Sequence, residues 1–217
     1  DCLTDDGTLW LNMGDSYYNY RPGKGQALNK QSVSKSDQDL PSTCARRGNK
    51  LEGLKEKDLI GIPWMLAFAL RADGWYLRQD IIWHKPNPMP ESVRDRCTKS
   101  HEYIFLFSKN QNYHFDVDAI KEPTRRKRSV WNVQKKPYRG AHFAVFPPDL
   151  IEPCIKAGSE EGDTILDPFM GSGTTAMVAK KLNRHYIGCE LHENYGNLIE
   201  ERVLPYENRL EKFFEEG

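Results

Sequence analysis

Asp167-Pro168-Phe169-Met170-Gly171-Ser172-Gly173-Thr174-Thr175, preceded by the apolar Thr164-Ile165-Leu166, is the stretch on which the reading of the fold turns. A short β-type run ends in an acid, a Gly-x-Gly turn follows, and a helix-like segment runs on from Thr174 to Leu182. That order puts a tight turn at the carboxyl end of a strand, where open α/β sheets bind their ligands. Glycine lets the backbone come close to a ligand, and the helix start supplies unpaired N–H groups. Asp167 narrows the choice of ligand. A carboxylate there repels phosphate and attracts ammonium or hydroxyl groups. The turn is no P-loop, because Thr174 and Thr175 stand where its lysine would be. It matches the dinucleotide fingerprint only in part, with Ala176 in place of the third glycine. An ordinary strand–turn–helix connection is the competing reading.

A second acid-tipped segment weakens that competitor. His185-Tyr186-Ile187-Gly188-Cys189-Glu190 reads as another strand, and Glu190 falls about 20 residues past the turn, where an acid commonly takes ribose hydroxyls. Two acids at neighbouring strand tips, with no phosphate-binding lysine, suit S-adenosylmethionine. Asp167 would lie near its methionine end and Glu190 on its ribose.

With these motifs in place, the chain resembles the DNA amino-methyltransferases, which methylate adenine N6 or cytosine N4. The resemblance rests on Asp167 to Thr175 and on Tyr186-Ile187-Gly188-Cys189-Glu190-Leu191. It extends to Gly7-Thr8-Leu9-Trp10-Leu11-Asn12, to the segment from Asp80 to Pro90, to His101-Glu102-Tyr103-Ile104-Phe105-Leu106-Phe107, and to His142-Phe143-Ala144-Val145-Phe146-Pro147-Pro148-Asp149-Leu150. Together these segments cover most of the chain, except roughly residues 16–57 and 121–140. The family implies a doubly wound, mostly parallel α/β sheet, Rossmann-like, and S-adenosylmethionine as cofactor. Its cofactor residues carry over to Asp167, Pro168, Phe169, Gly171, Ser172, Gly173, Thr174 and Glu190, with His142 and Phe143 from the segment before the turn. It also makes the strand end at Trp83, Lys85 and Asn87 face the target base. A proline-stiffened surface loop is the competing reading of that strand end.

The family also implies a tetrapeptide, Asp/Asn/Ser-Pro-Pro-Tyr/Phe/Trp, that accepts hydrogen bonds from the poorly nucleophilic amine and stacks on the flipped base. The chain contains none; Phe146-Pro147-Pro148-Asp149 has the wrong residue order and the wrong place. In the subgroup where this motif precedes the cofactor motif it should lie upstream of Gly7. The chain is therefore expected to lack its N-terminal catalytic segment, to bind cofactor weakly and to transfer no methyl group alone. Pro153-Cys154 imitates the nucleophile of cytosine-C5 enzymes but falls inside an expected helix. A DNA- or cofactor-binding remnant and an RNA or protein methyltransferase are the alternatives.

The 217 residues fit one domain, with a polar insertion at 15–57, expected to be mobile, and a basic recognition element at 109–140. The formal net charge is zero, yet Lys121, Arg125, Arg126, Lys127, Arg128, Lys135, Lys136 and Arg139 crowd one segment with Glu122 as its only acid. A solvated charged face is the ordinary explanation of such a run. Here Trp131, Tyr138, Phe143 and Phe146 lie in or beside it, and cations with aromatics suit double-stranded DNA. The candidate DNA contacts are Arg125, Arg126, Lys127, Arg128, Lys135 and Lys136, with Trp83, Lys85 and Asn87. Five scattered cysteines form no C-x-x-C pair, so neither a zinc site nor a disulfide framework is expected. No run of about 18 apolar residues exists and no leader pattern opens the chain, so the expected location is the cytoplasm. A homodimer and a separate cognate restriction endonuclease are compatible with this reading but unsupported by any motif.

The expected elements are a strand at 7–12 and a helix from Asp58, as N-cap, to Ala72, closed by Asp73-Gly74. Strands follow at 75–83 and 103–107, then a helix from Pro148 to Ala157. A strand at 164–166, a helix at 174–182, a strand at 185–190 and a last helix from about 193 complete the pattern.

Overall fold

The computed structural model describes residues 2–18, 53–134 and 146–207. The chain divides into two compact units, residues 14–65 and residues 1–13 with 66–217. Most of the polar insertion, and with it the expectation of mobility there, lies outside the described residues.

In the smaller unit, Tyr17 and Leu59 form an antiparallel bridge. Tyr18 N–H donates to Asp58 O at 2.8 Å, and Ile60 N–H to Ser16 O at 2.9 Å. Leu59 and Ile60 are thereby extended, and α1 (Ile62–Ala72) starts four residues later than the expected cap at Asp58. Gly61, with φ of 80°, makes the bend. The cap comes from Asp15, whose Oδ1 accepts Gly61 N–H at 3.0 Å and Ile62 N–H at 3.1 Å. Asp58 instead accepts Lys55 N–H at 2.7 Å. The far end of α1 stops as expected, with Gly74 at φ 105°.

The larger unit carries two sheets among the described residues. The first has the order β1–β3–β2–β4, built from β1 (Thr8–Met13), β2 (Tyr76–His84), β3 (His101–Ser108) and β4 (Val130–Asn132). β3 is flanked on both edges, and its apolar run is buried accordingly, with Phe105 and Phe107 fully inaccessible. Each such side chain contributes about 1.5–3 kcal/mol on leaving water. β3 pairs antiparallel with β1 and β2, while β4 pairs parallel with β2. The second sheet pairs β5 (Thr164–Asp167) with β6 (His185–Gly188) in parallel. The α/β class is as expected, and the pairing is more mixed than the strand–helix alternation suggested. β2 passes to β3 through the proline-rich 85–100 segment without a crossover helix, a connection that permits antiparallel pairing.

β4 lies inside the stretch expected to be a basic linker. Trp131, expected to wedge or stack on DNA, is only 4% exposed. Its indole N–H donates to Arg128 O at 2.8 Å. It packs with Ile81, Trp83, Ile104, Leu150 and Cys154, and Phe146 packs against the same cluster. An aromatic beside cations is as readily a core residue as a stacking one, and here the strand register decides for the core.

α2 (Pro148–Gly158) joins the two halves of this unit. Leu150 and Cys154, one turn apart, face the first sheet. Ile155 packs with Val178 and Ala179 of α3 (Thr174–Lys181). α4 (Asn194–Glu207) closes the described chain, and its Val203 shares a cluster with Met170 and Ala176. Among the described residues no helix is long and apolar enough to cross a membrane.

Candidate functional site

β5 delivers Asp167 to the start of the turn, where one backbone N–H and one side-chain hydroxyl fix its two carboxylate oxygens. Oδ1 accepts Phe169 N–H at 2.9 Å, and Oδ2 accepts the Thr175 hydroxyl at 2.6 Å. Gly171 and Gly173 have φ of 53° and 80°, the left-handed region that makes glycine the fitting residue. A side chain at Gly173 would also meet Ile199 of α4, its Cβ falling 2.9 Å from Ile199 Cγ1. Within the turn, Gly173 N–H donates to Met170 O at 3.0 Å.

The turn is sewn to the tip of β6. Cys189 N–H donates to Asp167 O at 3.0 Å, and Met170 N–H to Cys189 O at 2.9 Å. Glu190 Oε2 accepts Gly171 N–H at 2.8 Å, while Oε1 accepts His192 N–H at 2.9 Å. The structure thus brings Asp167, Phe169, Gly171, Gly173 and Glu190 together in one hydrogen-bonded assembly. Each carboxylate oxygen still has a lone pair for a further donor.

Burial sorts the neighbouring side chains. Met170 is 3% exposed and packs inward with Ala176 and Val203, whereas Phe169 is 86% exposed. Phe169 is therefore no core residue. Ser172 and Thr174 are buried, and both are held by Arg202 of α4. The guanidinium Nη1 donates to Ser172 O at 2.9 Å, to Ser172 Oγ at 2.8 Å and to Thr174 Oγ1 at 3.1 Å. Sequence reasoning missed Thr175 and Arg202. An eight-residue step from an acid to a helix-start hydroxyl was a readable signal for the first. Arg202 lies 30 positions from Ser172, with only its spacing from Ile199 and Val203 to draw attention.

The second group of expected residues divides between interior and surface. Trp83 is 2% exposed, with its indole N–H on Val133 O at 2.8 Å. Lys85, 7% exposed, forms an ion pair with Glu102 and stands 4.3 Å over the Trp83 ring. Asn12 reinforces the pair by donating to Glu102 Oε2 at 3.3 Å and to Tyr103 O at 2.8 Å. Trp83 and Lys85 are thus interior residues, contrary to the expectation that they meet DNA. The alternation of β2, carried one residue past its end, puts Ile81, Trp83 and Lys85 on the buried side, where Glu102 is the ion-pair partner of the lysine. Asn87 alone of the three is exposed.

Of the basic cluster, Arg125, Arg126 and Arg128 are exposed. Arg125 Nε donates to Glu122 Oε2 at 2.6 Å, a bond that holds the Glu122 carboxyl below its usual range. Lys127 lies 5.0 Å over the Trp131 ring. Among the described residues, Arg126 and Arg128 have no ion-pair partner. Lys135, Lys136, His142 and Phe143 lie outside the described residues. Cys154 is buried, and burial pushes its thiol far above the ordinary cysteine range, so it is no nucleophile. Among the described residues no three His, Cys, Asp or Glu side chains converge as metal ligands would.

The family model for N6/N4 DNA methylases matches residues 1–201, which spans the turn, both sheets and the basic cluster. The chain belongs to the N6/N4 DNA methylase family. This methylase is 52% identical over 206 residues to the type II methyltransferase M.XycI of Xanthomonas campestris pv. cyanopsidis, with 93% of this chain and 66% of that protein covered. It spans about two thirds of the length of the three curated relatives that are 50–52% identical to it. Among solved structures, the methylase resembles the M1.HpyAVI–SAM complex, with 29% identity, a TM-score of 0.54 and coverage of 65% of this chain and 69% of that one. It shares its fold with TTHA0409 of Thermus thermophilus, a putative DNA modification methylase complexed with S-adenosyl-L-methionine. There the identity is 22%, the TM-score 0.62 and the coverage 94% of this chain and 71% of that one.

Proposed function

We propose that this methylase binds S-adenosylmethionine at the Asp167–Thr175 turn and serves methyl transfer to the exocyclic amine of adenine (N6) or cytosine (N4) in duplex DNA. The observation that carries the reading is the linkage of two carboxylates, Asp167 and Glu190, across a glycine turn that lacks a lysine. Asp167 faces the ammonium end of the cofactor, Glu190 the ribose hydroxyls, and the exposed Phe169 ring lies against it. When bound, the cofactor supplies an electrophilic methyl group.

Transfer to the amine is direct. The one cysteine in a Pro-Cys pair is sealed inside α2, where its thiol cannot attack a base. The target amine is paired inside the duplex, so the base leaves the stack before it reacts. Arg126 and Arg128, exposed, meet the phosphates. We place the reaction in the bacterial cytoplasm, with a type II restriction endonuclease as a separate protein.

The deciding experiment offers labelled S-adenosylmethionine and duplex DNA, RNA and protein acceptors to the complete gene product. Label on duplex DNA, at N6 of adenine or N4 of cytosine, is expected. Label confined to RNA or protein overturns the proposal.

A further inference from the structure

We propose that Arg202, on α4, is a positioning residue that holds the cofactor turn in its binding shape. This rests on the reading of the Asp167–Thr175 turn as the S-adenosylmethionine site. A guanidinium can only donate, in a rigid planar fork. Here one nitrogen serves three acceptors, and all of them belong to the turn: Ser172 O, Ser172 Oγ and Thr174 Oγ1.

The rest of α4 supports the same assignment. Ile199 lies three residues before Arg202 and four before Val203, so it neighbours both on the helix surface. Ile199 fills the space where a Gly173 side chain would be, and Val203 packs on Met170. α4 is therefore the floor of the turn, and Arg202 its only charged contact with it among the described hydrogen bonds. The opposite side of the turn carries the exposed Phe169 and the Gly171–Glu190 bond. Held from the buried side, the turn keeps its two left-handed glycines in place before any ligand arrives. A preformed site loses less freedom on binding. Lysine at this position keeps the charge but not the fork, so it should restore only part of the effect.

The test compares the complete gene product with its Arg202→Met, Arg202→Lys and Asp167→Ala variants. S-adenosylmethionine affinity is measured by calorimetry, thermal midpoint by circular dichroism and amide exchange without ligand by mass spectrometry. Arg202→Met should weaken the cofactor roughly tenfold, with the midpoint lowered by no more than about 5 °C. Arg202→Lys should fall between it and the parent. Exchange should quicken across 171–175 in Arg202→Met while β3 keeps its protection. If Arg202→Met binds the cofactor like the parent while Asp167→Ala does not, the role of Arg202 is overturned and the turn remains the site. If Asp167→Ala also binds like the parent, the site itself is wrong and the Arg202 inference falls with it. Should Arg202→Met not fold, Arg202→Lys decides: unchanged exchange across 171–175 overturns the proposal, and faster exchange there alone supports it.

Discussion

The Thr175 hydroxyl donates to Asp167 Oδ2 across 2.6 Å, tying the first turn of α3 to the last residue of β5. With Phe169 N–H on the other oxygen, the carboxylate is aimed before a ligand comes. Thr175→Val keeps the shape and removes the donor. It should lower stability by about 1–2 kcal/mol and weaken S-adenosylmethionine several-fold in a calorimetric titration. Unchanged affinity would mean that the aim of Asp167 is set by the backbone alone.

Glu190 has two duties that one substitution separates. Glu190→Gln retains a carbonyl oxygen for the Gly171 or the His192 N–H, but it loses the charge and one acceptor. If the carboxylate also receives ribose hydroxyls, affinity for the cofactor should fall about tenfold or more, since hydrogen bonds to a charged group contribute about 1.5–3 kcal/mol. Affinity equal to the parent's would reduce Glu190 to a brace for the turn.

Stability should follow pH through the Glu152 cluster. Glu152 of α2 binds Lys156 at 2.7 Å and Lys181 of α3 at 2.9 Å. These bonds, to Lys156 first, hold the Glu152 carboxyl below its usual range, and the bond to Glu152 raises Lys181. A depressed acid contributes stability above its unfolded pKa and loses it as pH falls through the folded value. A raised lysine contributes below its unfolded pKa and loses it as pH rises through the folded value. The cluster therefore acts between about pH 5 and pH 10. Both partners are substantially exposed, so Glu152→Gln should cost only about 0.5 kcal/mol at neutral pH. Thermal melts of the two proteins should converge below about pH 4; a gap that persists in acid would point to packing instead.

Arg126 and Arg128 should matter to DNA more than Arg125, whose guanidinium is engaged by Glu122. Replacing Arg126 and Arg128 with alanine should reduce the slope of log affinity against log salt by about 1.8, or about 0.9 for each lost phosphate contact. Arg125→Ala should reduce it by less. Fluorescence anisotropy on a labelled duplex over a salt series measures both. An unaltered slope would return the cluster to ordinary solvated surface.

What the sequence revealed and what it hid divide by distance along the chain. The cofactor turn was legible because glycine, acid and helix start act on their immediate neighbours. Even there, nothing local said that Met170 would face inward and Phe169 outward. The start of α1 was misread because its cap, Asp15, is 46 residues from Gly61. Trp131 and Lys85 were misread because composition cannot report burial. Lys85 finds its counter-ion 17 residues away on β3, and Trp131 becomes core only through β4 pairing with β2. Arg202 was invisible for the same reason.

The remote cap of α1 has a consequence for how this part of the gene can vary. In the unfolded chain, bringing Asp15 to Gly61 closes a loop of 46 residues. The entropic cost grows only with the logarithm of length, so it is on the order of 3 kcal/mol. Ten inserted residues would raise it by only about 0.2 kcal/mol. By the closure term alone, a change in the number of residues between Asp15 and Gly61 weighs little on the anchoring of α1.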